Sequence, residues 1–399
     1  MNDAKRSLVL TSLSITSAII LIAIYLNPIW WVALTAPNYP ETAFPDGVRI
    51  NFHMNGVFNG CSLVVKDEIT EEEALDCVHE MDTINHYVGM YPIAAGGPIE
   101  RGFSPFLISL LIFMVIAFGI SDPKKRLYFL GVVFAFNAVW MTMTIYKTDG
   151  LSYQNEGYLF ALMNQLDQDI NDMTLTSTAV VTSVDSEIAL KQLRDSLAGR
   201  EIESMDDMLA EKEAESAPVV ETMSQKEGLI LQLKDTYEND LHNNRVSDEW
   251  TGNGYQLMAW HYGKVLGRYF NNQDEIRPMV KTLRIATHVV FFGLIGAMLL
   301  LVVMATRAKR NPVFWLLVLV PMALPVFFII DYASWLWWYG HTLNDMGAFA
   351  VKPFMPTVFG EGKVAQFATF SYPSIGFGLM MLNSAVLAAM ALIRRDESI

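Results

Sequence analysis

The sequence predicts an all-α membrane protein: six transmembrane helices, an extracytoplasmic helical bundle and two smaller extracytoplasmic loops. Three observations predict it. Apolar residues make up 52% of the 399-residue chain and gather in long runs. Six runs are long enough to cross a bilayer, which takes about 20 residues each. Lys and Arg gather in the short segments on one side of these runs, and helical periodicity fills the longest segment on the other.

The six runs lie near 9–34, 104–121, 126–146, 285–306, 312–338 and 372–393. The first is too long for a cleaved signal peptide, and no small-residue cleavage site follows it. Orientation follows from ten basic residues: Lys5, Arg6, Lys124, Lys125, Arg126, Arg307, Lys309, Arg310, Arg394 and Arg395. All lie in short segments, where the positive-inside rule holds best. Both termini are therefore expected in the cytoplasm, with 35–103, 147–284 and 339–371 outside. The expected order is a first span (1–34), an outer loop domain (35–103), spans two and three (104–146), the helical domain (147–284), spans four and five (285–338), an outer loop (339–371), and a last span with its tail (372–399).

The formal charge of −14 is mostly outside: segment 147–284 has 24 acids and 13 bases, and 35–103 has 11 acids and 3 bases. This balance argues against nucleic acid or anionic lipid there, and suits a solvated face, a cationic partner or a metal ion. Cys61 and Cys77 are the only cysteines and share an outer segment. They are read as a disulfide, because thiols tend to pair outside the cytoplasm, or as two copper-binding thiols.

Within 35–103, "VRINFHM" alternates as a strand does. "TEEEALDCVHEM" reads as a short helix opened by a capping box at Thr70 and Glu73, with Cys77 and Met81 one turn apart. Then comes "NHYVGM". His86 and Met90 are either soft-metal ligands, one helical turn apart if the loop is helical, or packing residues beside the membrane. In the packing reading, Asn85, His86 and Tyr87 cap the loop.

In 147–284 three stripes recur every four residues, the second with a small drift: Tyr158, Leu162, Leu166 and Ile170; Val184, Ile188, Leu193 and Leu197; Leu229, Leu233, Tyr237 and Leu241, the last after a capping box at Ser224 and Glu227. The polar stretch 199–221 is expected at an exposed edge. The aromatic "GNGYQLMAWHYGKVLGRYF" is expected on the bilayer surface, with a structural His261. Segment 339–371 follows the aromatic "DYASWLWW". Asp331, at membrane depth, is a functional candidate unless Tyr or Trp groups satisfy it.

No phosphate loop, zinc-protease motif or nucleophile elbow occurs, so no enzymatic activity is indicated. What remains is His86, Met90, His341 and Met346 in two outer loops, with Asn85 and Tyr87 shaping the first. Imidazole and thioether together suit copper, above all the cuprous ion.

Three stretches carry a resemblance: "NPIWWVALTAPNYPE", "INHYVGMYPI" and "DYASWLWWYGHTLNDMGAFAVKPFMPTVFGEGKVAQFATFSYPSIGF". They resemble a poorly characterised family of bacterial membrane proteins encoded in nitrous oxide reductase (nos) gene clusters. The matching positions are Ala36 to Pro40, Asn85 to Met90, Tyr339-Gly340-His341 and Ser371-Tyr372-Pro373, within 28–120 and 312–395. Here the acid expected before Tyr339 is absent, Leu343-Asn344-Asp345 stands where the family has Leu-Asp-Pro, and the 147–284 bundle has no counterpart in short members. The resemblance implies periplasmic copper-enzyme biology. The expected function is an accessory membrane protein that docks a periplasmic copper enzyme, which the resemblance implies is nitrous oxide reductase, and supplies it with copper. The alternatives are a structural subunit of a larger membrane complex, a sensor with a helical input domain, and a transporter built around Pro321 and Pro325.

Overall fold

The structure is a computed structural model. It describes residues 3–62, 64–65, 72–73, 75–166, 224–305, 312–348, 353–364 and 366–395. The positions 70, 170, 184, 188, 193 and 197, the stretch 199–221 and the basic segment 306–311 lie outside the described residues.

Among the described residues five helices are long and apolar enough to cross a membrane: α1 (Asp3–Leu26), α3 (Pro98–Gly119), α4 (Pro123–Tyr146), α8 (Gln273–Ala305) and α11 (Ile375–Arg395). A sixth apolar stretch is split into α9 (Pro312–Met322) and α10 (Leu324–His341), bent by 62°. The bend falls at Ala323, between Pro321 and Pro325, where proline rings prevent a continuous helical ladder. Counted as one span, this pair makes six.

Buried polar groups tie the helices together. Ser17 Oγ donates to Asn383 Oδ1 (2.5 Å) between α1 and α11. Asn137 Nδ2 donates to the Phe106 carbonyl (3.2 Å) between α4 and α3. At the end of the bundle where α3 stops, Arg126 and Arg394 donate to the Ile120 carbonyl and lie over the Phe314 ring. Cations suit this place, because a helix C-terminus presents unpaired carbonyls.

At the opposite end the connections form one head, and here the all-α expectation is corrected. The first span ends at Leu26. "WWVALT" is not its continuation but strand β1 (Trp30–Thr35), the centre of a five-stranded antiparallel sheet. β2 is Val48–His53, β3 Gly56–Asn59, β6 Gly360–Val364 and β7 Phe367–Pro373, and the order is β3-β2-β1-β7-β6. α1 is already long enough to span, Pro28 follows it, and aromatic and β-branched residues favour a strand. Trp30 lies opposite Phe52 and Pro373, and its Nε1 donates to Ser371 Oγ (2.9 Å). The α1–α11 pair thus continues outward as the β1–β7 ladder.

The helix expected from Thr70 also starts later. Glu72–Glu73 (β5) pairs with Val64–Val65 (β4), and α2 runs Cys77–Val88. Its cap is Asp76, which accepts from the Val78 and His79 amides. A short side-chain acceptor placed there satisfies amides the helix leaves unpaired. Cys61 and Cys77 are joined by a disulfide that ties the end of β3 to the start of α2.

Among the described residues the head also holds three helices, α5 (Glu156–Leu166), α6 (Gln225–His242) and α7 (Gly254–Tyr269). Tyr158, Leu162 and Leu166, and Leu229, Leu233 and Tyr237, are buried in one core, and Ser224 and Glu227 form a reciprocal capping box. α7 carries the aromatic stretch expected on the bilayer surface, and it packs much of that stretch within the protein. Leu257, Met258, Trp260, His261, Val265 and Leu266 are all buried. His261 Nε2 lies 2.9 Å from the Leu162 carbonyl, and burial lowers its pKa to about 3. It is a neutral packing group.

Candidate functional site

The two motif loops meet in the head through their backbones. α2 stops because Gly89 turns left-handed (φ 96°), and the Gly89 and Met90 amides donate to the Asn85 carbonyl. Glycine adopts this conformation at little cost. The Gly89 carbonyl accepts from the Asn344 amide (2.8 Å), and the Tyr87 carbonyl accepts from the Ala348 amide (2.9 Å). Between these two bonds Gly347 lies against Gly89, backbone on backbone. Glu275, in the first turn of α8, clasps the junction: its Oε2 accepts from Tyr91 OH (2.6 Å) and Asn344 Nδ2 (3.0 Å). Burial and the adjacent carboxylate push the Tyr91 phenol pKa up.

Below the junction, the turn Ile93–Ala95 is held by a buried Arg101. Its Nη1 and Nη2 donate to the Ala94 (2.9 Å) and Ala95 (3.1 Å) carbonyls. Gln165 Nε2 also donates to the Ala94 carbonyl (2.6 Å), and Tyr339 OH to the Pro92 carbonyl (3.3 Å). One turn of backbone therefore collects α3, α5 and α10.

The backbone contact does not gather the candidate ligands into one centre. The helix ends at Val88, so His86 and Met90 do not share a helical face. His86 is exposed and sets its ring edge-on to Phe270 (4.9 Å). Met90 is 4% exposed and packs with Tyr91, Tyr262, Leu266 and Phe270. His341 is exposed, stacks on Trp337 (4.4 Å) and places Nδ1 2.8 Å from the Trp337 carbonyl. Met346 is 78% exposed. Asn85 is buried, and its Nδ2 has no hydrogen-bond partner among the described residues; Tyr87 is exposed. No group of three or more His, Cys, Asp or Glu able to hold a metal occurs among the described residues. Of the four candidate ligands, Met90 is buried, and His86, His341 and Met346 are exposed.

Asp331 lines a second feature. A cavity of about 280 Å³ lies between the sheet, the start of α3 and α10. Phe52, Tyr332 and Leu336 contribute to an apolar wall, and Glu100, Arg101, Asp331 and His53 supply polarity. Trp335 Nε1 donates to Glu100 Oε1 (3.3 Å), whereas Asp331 makes no hydrogen bond among the described residues. Two carboxylates and a buried guanidinium thus converge on one small apolar space. Burial lowers the His53 pKa to about 4, so this imidazole is neutral at physiological pH.

Sequence reasoning missed Glu100, Arg101 and Glu275. Glu100 and Arg101 did carry a signal, as two charges directly before an apolar run. A scan against protein-family models and searches of curated proteins and of solved structures find no match to this chain.

Proposed function

We propose that this is a six-span protein of a bacterial inner membrane, with its termini in the cytoplasm and its head outside. It acts there as a non-enzymatic accessory that docks a periplasmic copper enzyme; the family resemblance points to nitrous oxide reductase. The observation that carries the docking part is the exposed rim around the loop junction. Tyr87, Trp337, Met346 and Met355 are 60%, 53%, 78% and 46% exposed, beside exposed His86 and His341. Aromatic residues and Met are enriched where proteins bind one another. Hydrogen bonds fix the backbone beneath, so little ordering cost opposes binding. In this reading copper passes over His86, His341 and Met346 rather than residing there.

Cysteine labelling in intact cells tests the orientation: Asn243→Cys reacts with an impermeant reagent and Lys124→Cys does not. Pull-down in mild detergent, with metal analysis of the eluate, tests the docking. The periplasmic partner co-elutes with the wild-type chain and is lost with Tyr87→Ala/Met346→Ala. Co-elution undiminished by the double substitution, or no periplasmic partner, sinks the docking reading.

A second reading, a sensor or binder of a small ligand, is favoured by the cavity. Apolar walls with a few convergent polar groups are the usual form of a ligand site.

A further inference from the structure

The outer segment that holds α6 and α7 is acidic on average, but one groove in it has the opposite charge. It has a volume of about 910 Å³ and lies where α7 crosses the start of α8. Six cationic side chains line it: Arg245, Lys264, Arg268, Arg277, Lys281 and Arg284. Among the described residues Asp240 is the single carboxylate in that lining, and it is already engaged. Buried at 2% exposure, it accepts Lys264 Nζ at 2.8 and 2.9 Å, Trp260 Nε1 at 2.9 Å and Arg245 Nη1 at 3.4 Å. Arg268 Nη1 donates to the Gln165 carbonyl (3.1 Å).

The other three cations are different. Arg277, Lys281 and Arg284 are exposed, lie at helical spacings of four and three on α8, and make no ion pair or hydrogen bond among the described residues. Such spacing places them in one row on one face. Like charges in a row repel, so the row points to an anion. Gly263 and Gly267 of α7 line the groove and face α8. A Cβ at these positions would lie 3.1 Å from Val280 and 3.7 Å from Ile276, so the helices approach closely beneath the cations.

The height of the row names the source of the anion. Arg284 is followed at once by Ile285, Val289 and Phe292, which are 57%, 65% and 65% exposed and form the start of the lipid-facing stripe of α8. The cationic row therefore climbs from the head to the edge of the hydrocarbon, where phospholipid phosphates lie. We propose that this groove binds phosphate-bearing anions and that its occupant is the headgroup of an anionic phospholipid in the outer leaflet. The inference rests on α8 crossing the bilayer with the head outside, as proposed above, and is independent of the docking reading. It reverses, for this groove, the expectation from net charge that anionic lipid is disfavoured.

The test is native mass spectrometry of the full chain, delipidated in mild detergent and titrated with phosphatidylglycerol, phosphatidylcholine or inorganic pyrophosphate. Wild-type protein takes up phosphatidylglycerol in preference to phosphatidylcholine. One basic side chain near a membrane surface is worth about fivefold in affinity. Arg277→Gln/Lys281→Gln/Arg284→Gln thus weakens phosphatidylglycerol binding by on the order of a hundredfold and leaves phosphatidylcholine unchanged. Arg277→Lys/Arg284→Lys keeps the binding, which separates lost charge from lost fold. Competition by pyrophosphate at similar concentration assigns the groove to soluble phosphate and removes the headgroup. Equal retention of phosphatidylglycerol by wild type and the triple Gln variant, or no preference over phosphatidylcholine, overturns the proposal.

Discussion

Gly347 sits against Gly89 with no room for a side chain on either. A Cβ on Gly347 would lie 2.6 Å from both the Gly89 nitrogen and the Val88 carbonyl oxygen, and one on Gly89 would lie 2.8 Å from the Asn344 carbonyl oxygen. Residues 258 positions apart thus form a single backbone junction that carries the two motif loops. Gly347→Ala must push the two loops of this junction apart. Overpacking of this kind costs about 1–3 kcal/mol. Thermal unfolding in detergent should show that loss, and the Asn344 and Ala348 amides should exchange faster. Wild-type exchange at both amides would mean that the contact does not hold the loops.

The disulfide predicts a second loss. It joins Cys61, beyond β3, to the fully buried Cys77 at the start of α2, with 16 residues of separation. Closing a loop of roughly this size is worth about 3 kcal/mol. Cys61→Ser/Cys77→Ser should lose about that much, with the change concentrated in the head. Equal stability of the reduced and oxidised proteins would show that the noncovalent packing of α2 on β2 and β3 suffices.

The spans were legible because a run of about 20 apolar residues has few other fates. The strand Trp30–Thr35 was not, because an apolar run that adjoins a span reads as its extension. Tyr158, Leu229 and Tyr237 were legible as buried stripes, since the 3.6-residue period places them on one face. α2 was misplaced at its start, because Asp76 caps it and the acids before it pair in a small ladder. The site was the least legible part. His86 and Met90 look one turn apart until Gly89 ends the helix. Arg101 and Glu275 act on partners that only the fold brings near: Ala94 and Ala95 for the first, Tyr91 and Asn344 for the second.

Asp82 predicts a pH dependence. It is buried in α2, 4% exposed, and its Oδ1 has no hydrogen-bond partner among the described residues. Burial raises its pKa to about 7 from an ordinary 3.8, with Asp76 adding to the rise and the Ala94 amide, Asn85 and Arg268 opposing it. Between about pH 4 and pH 7 the folded protein therefore holds a proton that the unfolded chain has released. Stability falls as pH rises through that window and levels off above it. Asp82→Asn is nearly isosteric and cannot ionise. It should unfold at a higher temperature than wild type at pH 8 and show a shallower decline from pH 5 to pH 8. Parallel declines in the two proteins would exclude Asp82 as the group responsible.

Met90 separates packing from ligation. Its side chain lies among Tyr91, Tyr262, Leu266 and Phe270, whereas Met346 stands in the open beside His341's loop. Leu has nearly the volume and apolarity of Met, so a packing role tolerates Met90→Leu at a cost under about 1.5 kcal/mol. A thioether ligand has no such substitute, because Leu offers no donor atom. The burial of Met90 therefore predicts that Met90→Leu keeps normal partner activity under copper limitation. Substituting the exposed donors together, as His86→Ala/His341→Ala/Met346→Leu, should lower copper loading of the partner while leaving the unfolding temperature close to wild type. If Met90→Leu instead abolishes copper loading without loss of stability, the buried thioether is a ligand after all and the aromatic cluster around it is a metal pocket. If the triple variant loads its partner normally, copper does not pass over this rim.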